Sequence, residues 1–265
     1  MNNFCIVVLS CSNFSDLWSN NLYLFDKYWP DHPPVFLVSD GYGKHNLRNP
    51  ENLMIYKGDM SDRIIHVLEE IEFEYILLTF DDYFLNSKCD SLAVQNILFD
   101  MKDINADYCG LFKRPKIKGK REGSSGYKII PLNKVYQVNF YPCIWKRESL
   151  LKVLEKGENI WKTEVRLTKR ARENGLLCLT IGKNNIFSFT DIVRKGKYLI
   201  SGKMFIKKHN LFLSNRPTRT LKETLALFAK TIGSRILPTF LKRIVKNNLR
   251  KKGHVIYSDY ENTND

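Results

Sequence analysis

Phe73–Asn86, FEYILLTFDDYFLN, is the stretch on which the reading of the whole chain turns. Its first half, Tyr75 to Phe80, is an unbroken run of strand-forming residues and predicts a buried strand. Two adjacent carboxylates, Asp81 and Asp82, close the run. Paired acids do not belong inside such a strand, so they mark its C-terminal end and face a cleft. In an open α/β sheet that edge is where ligands bind, and paired acids there suit a divalent cation carrying a nucleotide diphosphate. The same residues also read as a strand passing into a polar loop, with Asp-Asp as turn formers.

The segments upstream repeat the pattern. FCIVVLS (4–10) reads as a first strand, followed by a loop, Cys11 to Asp16. Leu17 to Tyr28 carries Leu17, Trp18, Leu22, Phe25 and Tyr28 near helical spacing, and Trp29-Pro30-Asp31 ends that helix. Val35–Val38 is a second strand leading to Ser39-Asp40-Gly41, and Met54–Tyr56 is a third. Ser61 or Asp62 caps a helix running to about Ile71. This order predicts a mostly parallel sheet covered by helices. Asp16, Asp40 and Asp81/Asp82 would then share one edge, although Asp16 and Asp40 also read as turn or cap residues.

Downstream, Leu92–Met101 reads as a helix and Tyr108–Phe112 as a strand. Lys113 to Lys128 is basic and rich in Gly and Ser, which predicts a mobile loop. Lys146–Lys156 and Asn159–Asn174 read as helices, with Gly157 between them, and Leu176–Ile181 as a last buried strand. Beyond Arg219, residues Leu221, Leu225, Phe228, Ile232, Ile236, Phe240 and Ile244 form a helical stripe that Pro238 divides in two.

Composition narrows the function classes. The 265 residues are 43% hydrophobic, enough for a sizeable core, and no apolar run is long enough to cross a membrane. The N-terminus lacks a basic segment ahead of its short apolar run and reads as a strand, not a signal peptide. Six scattered cysteines with no CxxC, and five dispersed histidines, point to reduced thiols in a cytoplasmic protein and away from a zinc site. Net charge is +14, and between Arg219 and Lys252 Glu223 is the one acid among ten Lys/Arg. A nucleic-acid binder would interleave such charge with aromatic residues on the folded domain. Here the tail carries most of it, so no specific nucleic acid is expected. A sugar nucleotidyltransferase would want a glycine-rich phosphate loop after the first strand, and SCSNFSD (10–16) has no glycine.

Phe80-Asp81-Asp82-Tyr83-Phe84 resembles the DxD segment of GT-A type glycosyltransferases, though as DD and not a strict DxD. YPCIWKR (141–147), GENIWKTE (157–164) and Lys195-Gly196-Lys197-Tyr198 are similar to a pattern in bacterial glycosyltransferases of surface-polysaccharide assembly, such as capsule, O-antigen and lipooligosaccharide. The resemblance spans roughly residues 4–200. It implies a GT-A-like, Rossmann-type catalytic domain over 1–215, with a donor half at about 1–105 and an acceptor half at 106–215. Basic amphipathic helices over 216–254 and a disordered tail over 255–265 would follow.

The resemblance implies that Asp82 holds Mg²⁺ or Mn²⁺ while Asp81 shares the metal or binds the ribose. Ser10, Asp16 and Asp40 would contact the base or ribose, and Arg63 and Lys195 the diphosphate. For Arg63, on the first turn of a helix, a solvated surface position is the other reading. Glu164 is the candidate base for a single inverting displacement, although a helix N-terminal acid stabilised by the dipole reads the same way. Trp145 and Trp161 would stack on acceptor sugars or pack in the core. The implied partners are a nucleotide-sugar donor and a lipid-linked or oligosaccharide acceptor. The basic stripe of 219–252 itself reads as a helix lying on an anionic membrane surface, or as a face packed on the domain or a partner chain with its charges in solvent. The expected location is the cytoplasmic face of the cell membrane.

Overall fold

The computed structural model of the chain describes residues 3–43, 52–112, 117–118, 120–181, 186–227 and 239–251. Two compact units make it up, Met1–Thr190 and Asp191–Asp265, so the sequence-based boundary at 215 falls inside the second.

The first unit is built on an eight-stranded sheet in the order β3-β2-β1-β4-β8-β6-β9-β7. β1 (Phe4–Leu9) is buried at every position and lies parallel to β2 (Val35–Ser39) on one side and β4 (Tyr75–Phe80) on the other. β3 (Leu53–Ile55) extends the parallel run beyond β2. Continuous apolar strands of this kind need a cover on both faces. It comes from α1 (Trp18–Tyr28), α2 (Met60–Glu70), α3 (Ser91–Asp103), α4 (Arg147–Val153) and α5 (Ile160–Glu173). This is the mostly parallel, helix-flanked α/β architecture the sequence predicts.

The far half of the sheet is mixed. After β4 come the short β5 (Tyr83–Leu85) and then β6 (Tyr108–Gly110), β7 (Tyr127–Ile129), β8 (Cys143–Lys146) and β9 (Cys178–Ile181). β8 is inserted antiparallel between β4 and β6, and β9 lies parallel to β6. β6 therefore runs in the direction of β4, while the loop that precedes β8 arrives at the edge where β4 ends. Leu176–Ile181 is not the outermost strand. β7 pairs antiparallel outside it, using Tyr127 and Lys128 from the stretch expected to be a loop. Tyr127 and Ile129 share one face of this edge strand, and burial falls along it from Tyr127 to the exposed Ile129.

The start of α2 departs from expectation by two residues. Asp59, not Ser61 or Asp62, is its cap, and the Asp62 carboxylate returns to accept the Asp59 N–H at 2.9 Å. Ser61 and Asp62 instead fix the α4–α5 connection, because Ser61 Oγ accepts the Glu158 N–H at 2.9 Å and Asp62 accepts that of Gly157 at 3.0 Å. Glu158 itself is buried between Arg166 (2.6 Å) and Arg170 (2.8 Å). Burial alone would raise its pKa, but the two guanidinium groups hold it below the ordinary glutamate value.

β10 (Phe189–Asp191) leads into the second unit, whose hairpin of β11 (Val193–Arg194) and β12 (Lys197–Tyr198) turns through Lys195 and Gly196 at φ 52° and 73°. Positive φ at both central residues is the type I′ geometry, one of the two turns favoured in two-residue hairpins. α6 (Ile200–Lys208), a helical stretch α7 at 221–227 and α8 (Thr239–Lys251) follow. The break at Pro238 and the tail 255–265 lie outside the described residues. Among those that are described, no helix is long and apolar enough to cross a membrane.

Candidate active site

The parallel register brings the ends of β1, β2 and β4 together. Leu9 pairs with Val38 on one side and Phe80 on the other, so Ser10, Ser39 and Asp81 emerge level with one another and Asp40 follows one residue on. Backbone bonds carry the ladder one step past the strands: the Ser10 N–H donates to the Val38 carbonyl at 2.9 Å and the Asp81 N–H to the Leu9 carbonyl at 3.2 Å.

Side chains then lock this edge. The buried Asp81 carboxylate accepts the Ser10 hydroxyl, and Ser10 Oγ accepts the Trp18 indole N–H at 2.6 Å. Asp40 Oδ1 accepts the Ser12 N–H at 2.7 Å, which ties the loop after β1 to the end of β2. Burial pushes the Asp40 pKa up, but the Ser12 hydrogen bonds and the nearby Arg63 charge leave it below the usual aspartate value. The thiol of Cys11 is moved the other way, first by burial and then by the negative charges of Asp81 and Asp40.

Arg63 is not the solvated surface residue that its place in the first turn of α2 allows. It is 8% exposed, with one guanidinium nitrogen donating to the Ser10 carbonyl at 2.6 Å and a buried Nε that has no hydrogen-bond partner. An unsatisfied buried N–H is costly in a finished interior and calls for an explanation. This one lies in the electrostatic neighbourhood of Asp40 and Cys11. Asp16 is buried at 2% exposure within the 3₁₀ turn Ser12–Leu17.

A residue missed in the sequence holds the acid pair in place. Asn21 of α1 is 1% exposed and its amide donates to the backbone carbonyls of Asp81 (3.2 Å) and Tyr83 (3.1 Å). Its sequence signal is a polar side chain at i+3 from Trp18 and i−4 from Phe25, in the middle of an apolar stripe.

Glu164 reaches the same edge from α5. Its Oε1 accepts the Phe140 N–H at 3.3 Å. The neighbouring Tyr141 ring packs against Tyr83, centroids 5.8 Å apart, and Tyr83 directly follows Asp82. The acid pair and Glu164 are thus linked through one backbone hydrogen bond and one aromatic contact. Burial, opposed by the single Phe140 hydrogen bond, raises the Glu164 pKa above its ordinary value.

The two tryptophans part company. Trp145 is not an acceptor-stacking residue: it is 0% exposed, sits mid-strand in β8 opposite Ile76 and packs edge-on against Tyr108 at 4.7 Å. Flanked by β4 and β6, it has no face to offer a sugar. Trp161 is 53% exposed, one helical turn before Glu164. Lys195 belongs to the hairpin turn of the second unit.

Among the described residues no group of three or more His, Cys, Asp or Glu converges on one point. A closed cation cage is therefore not built there, but Mg²⁺ and Mn²⁺ brought by a nucleotide need only one or two carboxylates, with phosphate oxygens and water completing the shell. Asp82, half-buried at the strand end, and Asp81 beside it fit that requirement.

No protein-family model matches the sequence, and no curated protein matches it. Among solved structures the chain is similar to S. aureus TarS, at 16% identity and TM-score 0.49, covering 73% of this chain and 37% of that one. It is also similar to glucosyl-3-phosphoglycerate synthase from Mycobacterium tuberculosis, in complex with Mn²⁺ and UDP-glucose, at 10% identity and TM-score 0.43, with 80% of each chain covered. A third is 2-C-methyl-D-erythritol 4-phosphate cytidylyltransferase from Thermus thermophilus, at 10% identity and TM-score 0.44, covering 77% of this chain and 98% of that one. The chain spans little more than a third of the TarS structure it matches.

Proposed function

We propose that this chain is a nucleotide-sugar-dependent glycosyltransferase that adds a sugar to a saccharide acceptor by one inverting displacement. One observation carries the reading: carboxylates in opposed electrostatic settings lie along the C-terminal edge of a single sheet, on either side of β4. Asp40 is held ionised by its Ser12 bonds and Arg63, while Glu164 is raised toward neutrality by burial. Groups whose surroundings push their pKa values apart mark a division of labour between binding and proton transfer.

On this reading Ser10, Asp40 and Arg63 hold the nucleotide over β1 and β2, and Asp81 and Asp82 face its diphosphate. Asp82, with Asp81, would hold Mg²⁺ or Mn²⁺, which neutralises charge on the departing diphosphate when bound. Glu164 takes the proton from the acceptor hydroxyl as it attacks, a role favoured by a pKa moved toward working pH. Trp161 flanks Glu164 and supplies a face for an acceptor sugar.

The acceptor is proposed to be lipid-linked and the enzyme peripheral on the cytoplasmic membrane face, in cell-surface polysaccharide assembly. Support comes from the second unit. Leu221 and Leu225 of α7 are exposed one turn apart, and Ile244 and Val245 of α8 are exposed on a helix with no acid. Apolar residues facing outward beside lysine and arginine fit a helix lying in an anionic interface.

Calorimetric titration of nucleoside diphosphates and their sugars, with and without Mn²⁺, tests the reading. One nucleotide should bind in a metal-dependent manner. Asp82→Ala should remove the metal dependence and lower transfer at least about 100-fold without loss of folding. Absence of nucleotide binding, or full activity in that variant, would sink it.

A further inference from the structure

The segment 113–121 carries Lys113, Arg114, Lys116, Lys118, Lys120 and Arg121 with no acid, and the structure fixes where its C-terminal part lies. β6 runs in the direction of β4, so the chain leaves β6 at the edge that holds the acid pair. It returns to the sheet at Tyr127, which pairs with Ile181 at the C-terminal end of β9 and therefore on that same edge.

The return is an ordered turn. Glu122 and Tyr127 exchange two backbone hydrogen bonds of 2.9 Å, closing a hairpin around Gly123–Gly126. The buried Asp100 of α3 caps it from below, accepting the Ser124 N–H (3.0 Å), the Ser124 hydroxyl (2.9 Å) and the Ser125 N–H (2.7 Å). Burial raises the Asp100 pKa, yet these bonds hold it below the ordinary aspartate value, so the cap stays ionised. Gly123 is required twice over, by its φ of 65° and because a Cβ there would lie 2.5 Å from Asp100 Oδ2. Lys128 Nζ donates to the Ile117 carbonyl at 3.1 Å and ties the approach to the turn. Lys118, Lys120 and Arg121 stand exposed on this anchored frame.

Sheet order says which substrate they meet. The turn springs from β7 and β9, and three to four strand spacings of about 4.8 Å separate these from β4. The proposed nucleotide contacts Ser10, Asp40 and Arg63 lie on the opposite side of β4, at β1, β2 and α2. Glu164 and Phe140 belong to the side of β8 and β6. The cationic turn thus lies beyond the base from the nucleotide.

We propose that Lys118, Lys120 and Arg121 bind a phosphate group of the acceptor, so that the acceptor is a phosphate-bearing glycan or glycolipid. This rests on the transferase reading above and adds the acceptor's chemical class to it. Lysine and arginine attract phosphate oxyanions through charge and N–H donors, and an exposed cationic cluster also raises the encounter rate with an anion.

The test uses the full chain with the donor side first filled by its best-binding nucleoside diphosphate and Mn²⁺. Inorganic pyrophosphate is then titrated as the probe, against wild type and a K118Q/K120Q/R121Q variant. The proposal expects a second, salt-sensitive site for pyrophosphate, weakened at least about tenfold in the variant, with nucleotide affinity within twofold. Circular dichroism and an unchanged nucleotide titration show the variant to be folded. Equal pyrophosphate binding by the two proteins, or none, overturns it. So does a variant that loses binding to phosphatidylglycerol vesicles, but not to phosphatidylcholine controls, while wild type ignores pyrophosphate; the cluster would then serve the membrane surface. If no nucleotide binds, the transferase reading fails by itself, and the pyrophosphate comparison still decides whether this cluster is an anion site.

Discussion

Asp40 and Glu164 sit at the same edge of one sheet and are treated in opposite ways. Asp40 receives strong hydrogen bonds and a neighbouring cation, and its proton is driven off. Glu164 is half-buried with one long hydrogen bond of 3.3 Å, and burial raises its pKa above the ordinary glutamate value. On the proposed reading the β1/β2/β4 side is a prearranged binding surface, whereas the β8/β6 side keeps a carboxyl group able to change its charge. A transfer enzyme needs both, and the strand order separates them.

Glu164→Gln should break the comparison most severely. Transfer is expected to fall about 10²–10⁴-fold, with nucleotide binding retained. The sign on stability is opposite. A folded-state pKa above the unfolded value means that ionising Glu164 destabilises the native state as pH rises through the folded pKa. The variant should therefore melt higher than wild type at neutral pH, and the gain should vanish in acid, where both states are protonated. For the same reason the acid limb of the wild-type pH–rate profile should sit above the ordinary glutamate range. Asp40→Asn should move the other way. The stability from the lowered Asp40 pKa is present above the unfolded aspartate value and lost as pH falls through the folded one, so this variant melts lower at neutral pH and binds nucleotide less well. Equal melting shifts of one sign in both variants would remove the contrast.

Asn21→Ala probes the binding side without touching a carboxylate. It removes two buried hydrogen bonds to the backbone of the acid turn, at about 1 kcal/mol each. Stability should drop by about 2 kcal/mol in chemical denaturation, and metal-dependent nucleotide binding should weaken with it. Trp161→Ala should have the smallest structural effect. Its exposure predicts a stability change within about 0.5 kcal/mol, while acceptor KM rises about tenfold at unchanged donor affinity. An unaltered acceptor KM would leave Trp161 a surface residue and strip the acceptor side of its aromatic contact.

The fold was legible where burial is complete and local. The runs Phe4–Leu9 and Tyr75–Phe80 announce themselves because both faces of each strand are apolar. The acid pair was legible for the converse reason, since charge ends such a run abruptly. What could not be read are facts that depend on distant pairing. Ser10 meets Asp81 across 71 positions only because β1 and β4 lie in parallel register. Trp145 and Trp161 sit in similar-looking short motifs, yet one points into the core from a central strand and the other outward from a helix start. Glu158 resembles any loop glutamate until Arg166 and Arg170, two and three turns along α5, close over it.

The inserted strand β8 also bears on how the chain is made. β3, β2, β1 and β4 all come from the first eighty residues and can assemble as they leave the ribosome, because domains gather their early segments first during synthesis. Both neighbours of β8, however, are complete by Gly110, and Cys143–Lys146 arrives later. In that interval β4 presents an open, apolar edge, the kind of surface that recruits strands from other chains. The acid pair follows directly on β4, so the proposed catalytic centre is also where a nascent chain is most exposed to misassembly, and holding Cys143–Lys146 back should show itself first as aggregation.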